Sequence, residues 1–292
     1  RPAGVVRTGT PLDRDRRSGI DCGATGHGVP DEREGVHVQD EEQSGPGPVN
    51  LRDLGGLALT DGGRTAAGVL YRGDACYTGD VVRGLLAERP PTTVVDLRSD
   101  AERGHRTYTW PDGTHVHRLS LHADAAPGGR TGLGLAELYG RVVDVAAPLF
   151  AGLVPVVARA AGPVLVHCTA GKDRTGLAVA VLLLAAGVEP QAVVDDYVAT
   201  DTNMPRLYRR WEAVGLRVGA SSPGGGRAVP SELFRAPAEA ITPIVERLVA
   251  HPGGPEAWLI DHGAPEDDVR RWRCRARGEA ATAYEDRKAH TR

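Results

Sequence analysis

Residues 163–176, PVLVHCTAGKDRTG, decide the fold. The first five have an apolar centre, Val164-Leu165-Val166, that is typical of a short buried strand. The residues from Arg174 to Ala186 have the composition of a helix, which Gly187 ends. A tight loop that begins at Cys168 joins the two elements. A buried strand, a glycine-containing loop and a helix in succession predict an α/β layered fold.

The loop from Cys168 to Arg174 has the spacing Cys-x5-Arg. A loop between a strand and a helix N-terminus turns its backbone N–H groups inward and forms a cradle for a tetrahedral dianion. Arg174 adds a fork of donors for two phosphate oxygens, and the same field stabilises a Cys168 thiolate. That thiolate can attack a bound phosphorus in line and form a phosphocysteine. The predicted phosphate-binding residues are Thr169, Ala170, Gly171, Lys172, Asp173 and Arg174.

Three neighbours complete this prediction. Thr175 follows Arg174, and its hydroxyl can donate a hydrogen bond to the thiolate. Lys172 adds a second positive charge over the phosphate, in a chain whose only other lysine is Lys288. Asp173 is unfavourable beside an anion, so we expect it to turn outward or to orient Arg174. The loop does not match the GxxxxGK[ST] pattern of nucleotide-binding loops.

The sequence around the loop predicts a central, mostly parallel sheet flanked by helices, with the phosphate loop between a central strand and a helix. Strands are predicted at residues 92–98 and 115–121, and short strands joined by Gly-rich turns over residues 50–75, with a hairpin turn at 61–63. The predicted helices lie at residues 81–88, 135–160, 174–186, 190–200, 237–250 and 265–276. We expect Pro148 and Pro155 to bend or split the second of these.

Residues 1–47 contain no aromatic residue, carry many charges and end in a Gly/Pro-rich run. Such a segment buries too little apolar surface to offset its ordering entropy, so we expect a disordered extension followed by a domain over residues 48–288. The chain begins at Arg1 and its one methionine is Met204, so the sequence leaves its true start open.

The loop HCTAGKDRTG resembles the signature of the bacterial and fungal protein-tyrosine phosphatases that carry HCxxGKDRTG, a group related to atypical lipid phosphatases. Further motifs are similar to those of the same family and occur in the same order. They are NLRDLGG (50–56), LYRGDA (70–75), VVDLRSDAE (94–102) and DDYVATDTN (195–203). The resemblance covers residues 48 to 280. It implies the cysteine-phosphatase fold and hydrolysis of phosphate monoesters through a phosphocysteine.

Expulsion of the leaving oxygen needs a proton donor, usually an aspartic acid on a movable loop. The resemblance implies that this acid follows the strand at 115–121, where Asp124 lies beside a pair of glycines. Asp112 is the alternative, because Trp110-Pro111-Asp112 spells the acid loop of the eukaryotic enzymes. We favour Asp124, since Asp112 lies in a Pro-Asp-Gly stretch that is typical of a plain turn.

The resemblance also implies a supporting network for Asp96 and Arg98, with Glu102 on the following turn. Ion pairing is the role we expect for these residues. His167 precedes the nucleophile, and we expect its ring to hydrogen-bond the loop backbone and to point away from the substrate.

Composition excludes several classes of protein. The 292 residues carry a net charge of −3, which gives no support for a nucleic-acid-binding protein. The four cysteines form no CxxC pair, and no His/Asp/Glu cluster has metal-ligand spacing, so we predict no metal and no organic cofactor. The richest apolar stretch, residues 145–158, is shorter than the roughly 20 residues of a membrane span.

Several alternatives remain open at this stage. Phosphotyrosine is the substrate that the resemblance implies first. A phosphoinositide or dual-specificity enzyme would use the same mechanism, with Lys172 serving a multiply phosphorylated head group. A catalytically inactive phosphate-binding module is the third possibility. The sequence shows no signal peptide, and its few, widely spaced cysteines are typical of a protein in a reducing compartment. We therefore expect a cytoplasmic protein, and export without a signal peptide stays open.

Overall fold

The structure is a computed structural model that describes residues 47–81, 84–104, 107–121, 133–215 and 235–279. Three predictions fall outside these ranges. They are the disorder of the N-terminal extension, except at Gly47, the placement of Asp124, and the end of the domain at residue 288.

A five-stranded sheet in the order β1-β2-β5-β3-β4 forms the centre of the fold. The first pair, β1 and β2, is antiparallel, and the other three pairs are parallel. The predicted α/β architecture with a mostly parallel sheet is confirmed, and the strand before the phosphate loop is the middle one. The strands are β1 (Arg52–Asp53), β2 (Leu70–Gly73), β3 (Thr93–Asp96), β4 (His115–Arg118) and β5 (Val164–His167).

Eight helices occur in the described ranges. They are α1 (Leu85–Glu88), α2 (Asp100–Arg103), α3 (Leu135–Arg159), α4 (Asp173–Ala185), α5 (Pro190–Ala213), α6 (Ala238–Val249), α7 (Gly254–Asp261) and α8 (Glu266–Ala276). The sequence missed α2 and α7 and ended α5 too early. Helix α5 continues through Pro205 because Met204, Leu207 and Trp211 of its last turns pack in a buried cluster.

Helix α4 is the centre of the main hydrophobic core. All its residues are buried, the charged Asp173 and Arg174 of its first turn included. Packing around it comes from α3, α5, α6 and α7, and from the sheet. A helix that is apolar on all sides requires such surroundings. The opposite face of the sheet carries a smaller core, where Tyr71, Val94 and Leu165 pack with α1.

Helix α3 is long and apolar enough to cross a membrane by length and composition alone. Pro148 and Pro155 do not split this helix. The helix is therefore longer than residues 145–158, the apolar stretch that the sequence analysis compared with a membrane span. Half of its most apolar window is buried, and Tyr139 and Phe150 lie fully inside the main core. We therefore describe α3 as a core helix.

Gly171 fixes the path of the chain between β5 and α4. Its φ is +69°, a left-handed conformation that favours glycine. A Cβ at this position would lie 2.4 Å from the carbonyl oxygen of Gly73, at the end of the neighbouring strand β2. The loop therefore lies directly against the backbone of β2.

We predict that Gly171→Ala destabilises the protein by about 2 kcal/mol or more, because the substitution adds both backbone strain and a backbone clash. Urea unfolding measures the loss. Gly152→Ala is the matched control, since this glycine lies in α3 with nothing within 4 Å of the added carbon. The control should be neutral or slightly stabilising, and an equal loss in both variants would contradict the argument.

Candidate active site

The loop from Cys168 to Lys172 lies at the carboxyl edge of the parallel strands. The last residues of three strands are in register there, Asp96 beside both Arg118 and His167. Cys168 is the first residue after the central strand β5, and it is 2% exposed. Ligands bind at this edge of open α/β sheets.

The carbonyl groups of the loop point away from its centre. Four of them accept hydrogen bonds from donors outside the loop: Cys168 from the His167 ring (3.3 Å), Thr169 from the Ala75 N–H (3.3 Å), Ala170 from Asn50 (3.0 Å) and Gly171 from Arg72 (2.7 Å). No hydrogen bond in the described ranges uses the N–H groups of Thr169, Ala170 or Gly171. With the carbonyls held outward, these donors are left for an anion inside the loop.

Arg174 is held by Glu102 at the side of this cradle. Its Nη1 lies 2.6 Å and its Nη2 2.5 Å from the two carboxylate oxygens of Glu102, and Nη1 also donates to the carbonyl of Leu97 at 3.3 Å. These bonds use three of the five guanidinium N–H groups. The Nε–H and one Nη2–H remain on one edge of the plane, with no other protein acceptor in the described residues. This edge matches two oxygens of a phosphate.

Glu102 joins three parts of the site. Besides Arg174 it accepts a hydrogen bond from the Thr169 hydroxyl at 2.8 Å, and it caps α2 through the Ser99 N–H. Burial acts to raise the pKa of Glu102, but the hydrogen bond and charge of Arg174 lower that pKa to about 2. The carboxylate is therefore charged at neutral pH. The ion-pair role expected for Glu102 is confirmed, and its partner is the loop arginine.

Arg72 and Asn50 hold the loop by hydrogen bonds that the sequence analysis did not predict. Arg72 is fully buried and pairs with Asp196 of α5 while it donates to the Gly171 carbonyl. Asn50 donates to the Ala170 carbonyl and accepts from Arg52. Both residues belong to quoted motifs, so the motifs were the available signal.

Lys172 and Asp173 differ from expectation. The Lys172 ammonium is 2.8 Å from the Arg235 carbonyl and 3.3 Å from Asp173, so protein groups compensate its charge. This corrects the expectation that the Lys172 charge serves only the bound phosphate. Asp173 neither turns outward nor contacts Arg174 by a hydrogen bond. Its carboxylate accepts from the Tyr139 hydroxyl at 2.5 Å, behind the loop.

The hydrogen bond expected from Thr175 to Cys168 is absent. Thr175 is fully buried, and its hydroxyl has no partner in the described residues. Its contribution to the reaction stays a prediction.

The supporting network of Asp96, Arg98 and His167 forms as expected. Arg98 holds Asp96 through Nε at 2.9 Å and Nη2 at 2.8 Å. Burial acts to raise the pKa of Asp96, but the hydrogen bonds and charge of Arg98 lower it. Burial lowers the pKa of His167 from 6.5 to about 4, although Asp96 acts in the opposite direction. The ring is therefore neutral at pH 7, and its Nδ1–H donates to the Cys168 carbonyl.

The two candidate general acids differ in position. Asp112 is exposed in a turn closed by a hydrogen bond from the Thr114 N–H to the Pro111 carbonyl. This turn precedes β4, and β4 runs parallel to β3 and β5, so Asp112 lies at the edge of the sheet opposite Cys168. The structure therefore excludes Asp112 as the proton donor to a substrate in this loop. Asp124 lies outside the described residues and stays a prediction.

Comparison with known proteins agrees with this geometry. Residues 44–277 match the model of the tyrosine phosphatase family. The chain belongs to this family. The resemblance seen in the sequence is confirmed over most of its length.

Three bacterial relatives illustrate the similarity. A Cupriavidus necator protein that is provisionally named a tyrosine-protein phosphatase is 32% identical over 165 residues, which are 52% of this chain and 60% of that one. The "Triple specificity protein phosphatase PtpB" of Mycobacterium tuberculosis is 32% identical over 204 residues, 56% of this chain and 71% of that protein. A tyrosine-protein phosphatase of Nostoc commune is 27% identical over 48% of each chain. The chain therefore spans between about half and seven tenths of the length of these three relatives.

We predict that Glu102→Gln lowers the turnover of p-nitrophenyl phosphate about 10- to 100-fold, because the amide cannot hold Arg174 by two charge-assisted bonds. Glutamine still serves in the capping box of α2, so the fold should be kept, and the melting temperature of the variant checks this. Glu137→Gln, which breaks the exposed Glu137–Arg141 pair, is the control and should keep full activity. Wild-type turnover in Glu102→Gln would show that Arg174 does not need this partner.

We also predict that His167 makes the protein acid-sensitive. Its pKa is about 4 in the folded state against 6.5 unfolded, so the unfolded state gains a proton first as the pH falls. The contribution of this group to the free energy of unfolding is present above pH 6.5. About 3 kcal/mol of it is lost as the pH falls to 4. Denaturant unfolding of the wild type and of His167→Gln, at pH 7 and pH 4, isolates the effect. An equal pH dependence in both proteins would contradict it.

Proposed function

We propose that this protein is a protein-tyrosine phosphatase that hydrolyses phosphate monoesters through a phosphocysteine on Cys168. The observation that carries the proposal is the arrangement of donors around the loop. Three loop N–H groups and one edge of the Arg174 guanidinium are left for an anion, beside a cysteine that directly follows the central strand. Family membership supports the same chemistry.

The reaction needs two steps. The Cys168 thiolate attacks phosphorus, a sulfur–phosphorus bond forms, and the ester P–O bond breaks in line with the attack. The leaving oxygen takes a proton, for which we propose Asp124. Water then attacks the phosphocysteine and gives a proton to the Asp124 carboxylate, the sulfur–phosphorus bond breaks, inorganic phosphate leaves, and the thiolate is restored. Arg174 and the loop N–H groups stabilise the charge of the three non-bridging oxygens throughout.

Phosphotyrosine is the substrate we propose. The argument for a phosphoinositide depended on Lys172 as an additional cation for a multiply phosphorylated head group. Its contacts with Asp173 and the Arg235 carbonyl engage that charge within the protein, which weakens the argument. The name of the Mycobacterium tuberculosis relative attributes triple specificity to that protein, so lipid substrates belong in the test.

We keep the cytoplasm as the proposed location. Cys76, Cys168 and Cys274, the described cysteines, are free thiols, which is compatible with a reducing compartment.

We predict that the wild type dephosphorylates a phosphotyrosine peptide in preference to phosphoinositides, and that Cys168→Ser removes this activity. The serine variant should still bind the peptide, because the loop N–H groups and Arg174 are retained. Arg174→Lys should lose about as much activity, since lysine lacks the planar fork. Phosphate release measures turnover, and calorimetry with phosphopeptide measures binding.

Each other outcome has a definite meaning. Preferred turnover of the lipids would replace the substrate class and leave the mechanism. Residual turnover in Cys168→Ser would disprove the phosphocysteine. Phosphopeptide binding without turnover in the wild type would make the protein a phosphate-binding module.

A further inference from the structure

Arg210 of α5 joins three groups of the segment that follows β2. Its Nη1 donates to the Asp74 carboxylate at 2.7 Å and to the Ala75 carbonyl at 2.9 Å, and its Nη2 contacts the Asp80 carboxylate. The side chain is buried, so water competes little for these bonds. Arg210 therefore fixes both ends of residues 74–80 to α5.

The far end of this segment is a tight turn beside Arg210. The Asp80 carboxylate accepts a hydrogen bond from the Tyr77 N–H at 2.7 Å, and the Asp80 N–H donates to the Tyr77 carbonyl at 3.0 Å. The Arg210 guanidinium lies over the Tyr77 ring, 4.9 Å from its centre, where cation–π attraction adds to the ion pairs. Ion pairs, hydrogen bonds and a ring contact thus hold the segment around one guanidinium group.

This segment holds one carbonyl of the phosphate loop directly. Ala75 accepts from Arg210 through its carbonyl and donates through its N–H to the Thr169 carbonyl, at 3.3 Å. Two residues earlier, the carbonyl of Gly73 is the group against which Gly171 of the loop packs. A shift of the segment away from Arg210 would therefore move both the donor and the surface that the loop requires.

Asp74 extends the influence of Arg210 to a second loop carbonyl. One of its carboxylate oxygens binds Arg210, and the other accepts the N–H groups of Val49 at 2.9 Å and Asn50 at 2.8 Å. The side chain of Asn50 in turn donates to the Ala170 carbonyl at 3.0 Å. Asp74 therefore orients the residue that holds this carbonyl outward.

The Asp74 carboxylate needs Arg210 as its counter-charge. Burial raises the pKa of Asp74 to about 6, and the charge of Arg210 is the largest effect that opposes this rise. Without the arginine, the buried carboxyl would take up a proton at neutral pH. A charged acceptor binds backbone N–H groups more strongly than a neutral one does. The ion pair therefore strengthens the attachment of Val49 and Asn50.

We propose that Arg210 is a positioning residue of the phosphate loop. It acts through Asp74 and Ala75, and so controls two of the four carbonyl groups that are held outward. In the described part of the chain its guanidinium hydrogen-bonds no residue of the loop itself. The consequence for catalysis rests on the proposed function, but the shape of the anion cradle is measured by binding alone.

The test is the binding of tungstate, a tetrahedral dianion that mimics phosphate, titrated by calorimetry into the full chain. Arg210→Lys keeps the charge, but one ammonium group cannot bind both ends of the segment. Asp74→Asn still accepts the two N–H groups, but its amide NH2 faces Arg210 in place of the carboxylate. Neither variant leaves a buried charge without a counter-charge, since Asp80 still pairs with the cation.

We expect each substitution to weaken tungstate binding about tenfold, because a displaced loop aims its N–H groups less well. The double variant Arg210→Lys/Asp74→Asn should lose no more than the more affected single variant, since both changes break the same link. The kcat/KM for p-nitrophenyl phosphate should fall by a similar factor, because the transition state uses the same loop N–H groups.

Arg275→Lys is the matched control. Arg275 of α8 also holds main-chain carbonyl groups, those of Ala160 and Gly162, which precede β5 at the end of the strand away from the loop. Urea unfolding measures the stability of each variant, and circular dichroism confirms that each is folded during the titration. The control should lose stability but bind tungstate with wild-type affinity, which separates a positioning role from a structural one.

Four results would overturn the proposal. They are wild-type tungstate affinity in both single variants, losses that add in the double variant, an equal loss in Arg275→Lys, and a wild type that binds no tungstate. Weaker binding in the two single variants alone supports the positioning role whether or not the wild type hydrolyses a phosphate ester. A failure of the proposed function is thereby distinguished from a failure of this inference.

Discussion

The outward attachment of the loop carbonyls is the constraint on which the rest of the site depends. A five-residue turn cannot direct its N–H groups inward unless its carbonyl groups find partners elsewhere, since a buried carbonyl without a donor is costly. Asn50 and Arg72 supply two of these partners from β1, β2 and the residues before them. The N-terminal strands therefore shape the anion cradle without touching its centre. Arg174 depends in the same way on Glu102, which comes from α2.

The sequence predicted the parts of the molecule in which local pattern and tertiary role agree. The buried strand before Cys168, the helix after it and the parallel sheet all follow from apolar runs and glycine positions. The motifs quoted from the chain identified the family, which the match over residues 44–277 confirms. Helix α7 was missed because its eight residues lack a clear amphipathic pattern, and the end of α5 was missed because Pro205 indicates a helix break.

Side-chain partners were harder to predict, because they depend on contacts between distant segments. Lys172 next to a glycine in a phosphate loop indicates a free cation, yet Arg235, 63 residues further along the chain, supplies a carbonyl for it. Asp112 illustrates the reverse case. The triplet Trp110-Pro111-Asp112 matches an acid loop in letters, but the direction of β4 places it at the wrong edge of the sheet. Only strand order and direction distinguish such a match from a functional one.

The complete burial of α4 has a consequence for the way in which the protein unfolds. Segments that exchange their amide hydrogens by local fluctuation have exposed backbone and few packed neighbours. Helix α4 has neither feature, so its amides should exchange only when the whole domain unfolds. The first turn of α4 carries Arg174, and the phosphate loop precedes it directly. The backbone of this turn therefore belongs to the last part of the molecule to lose its structure.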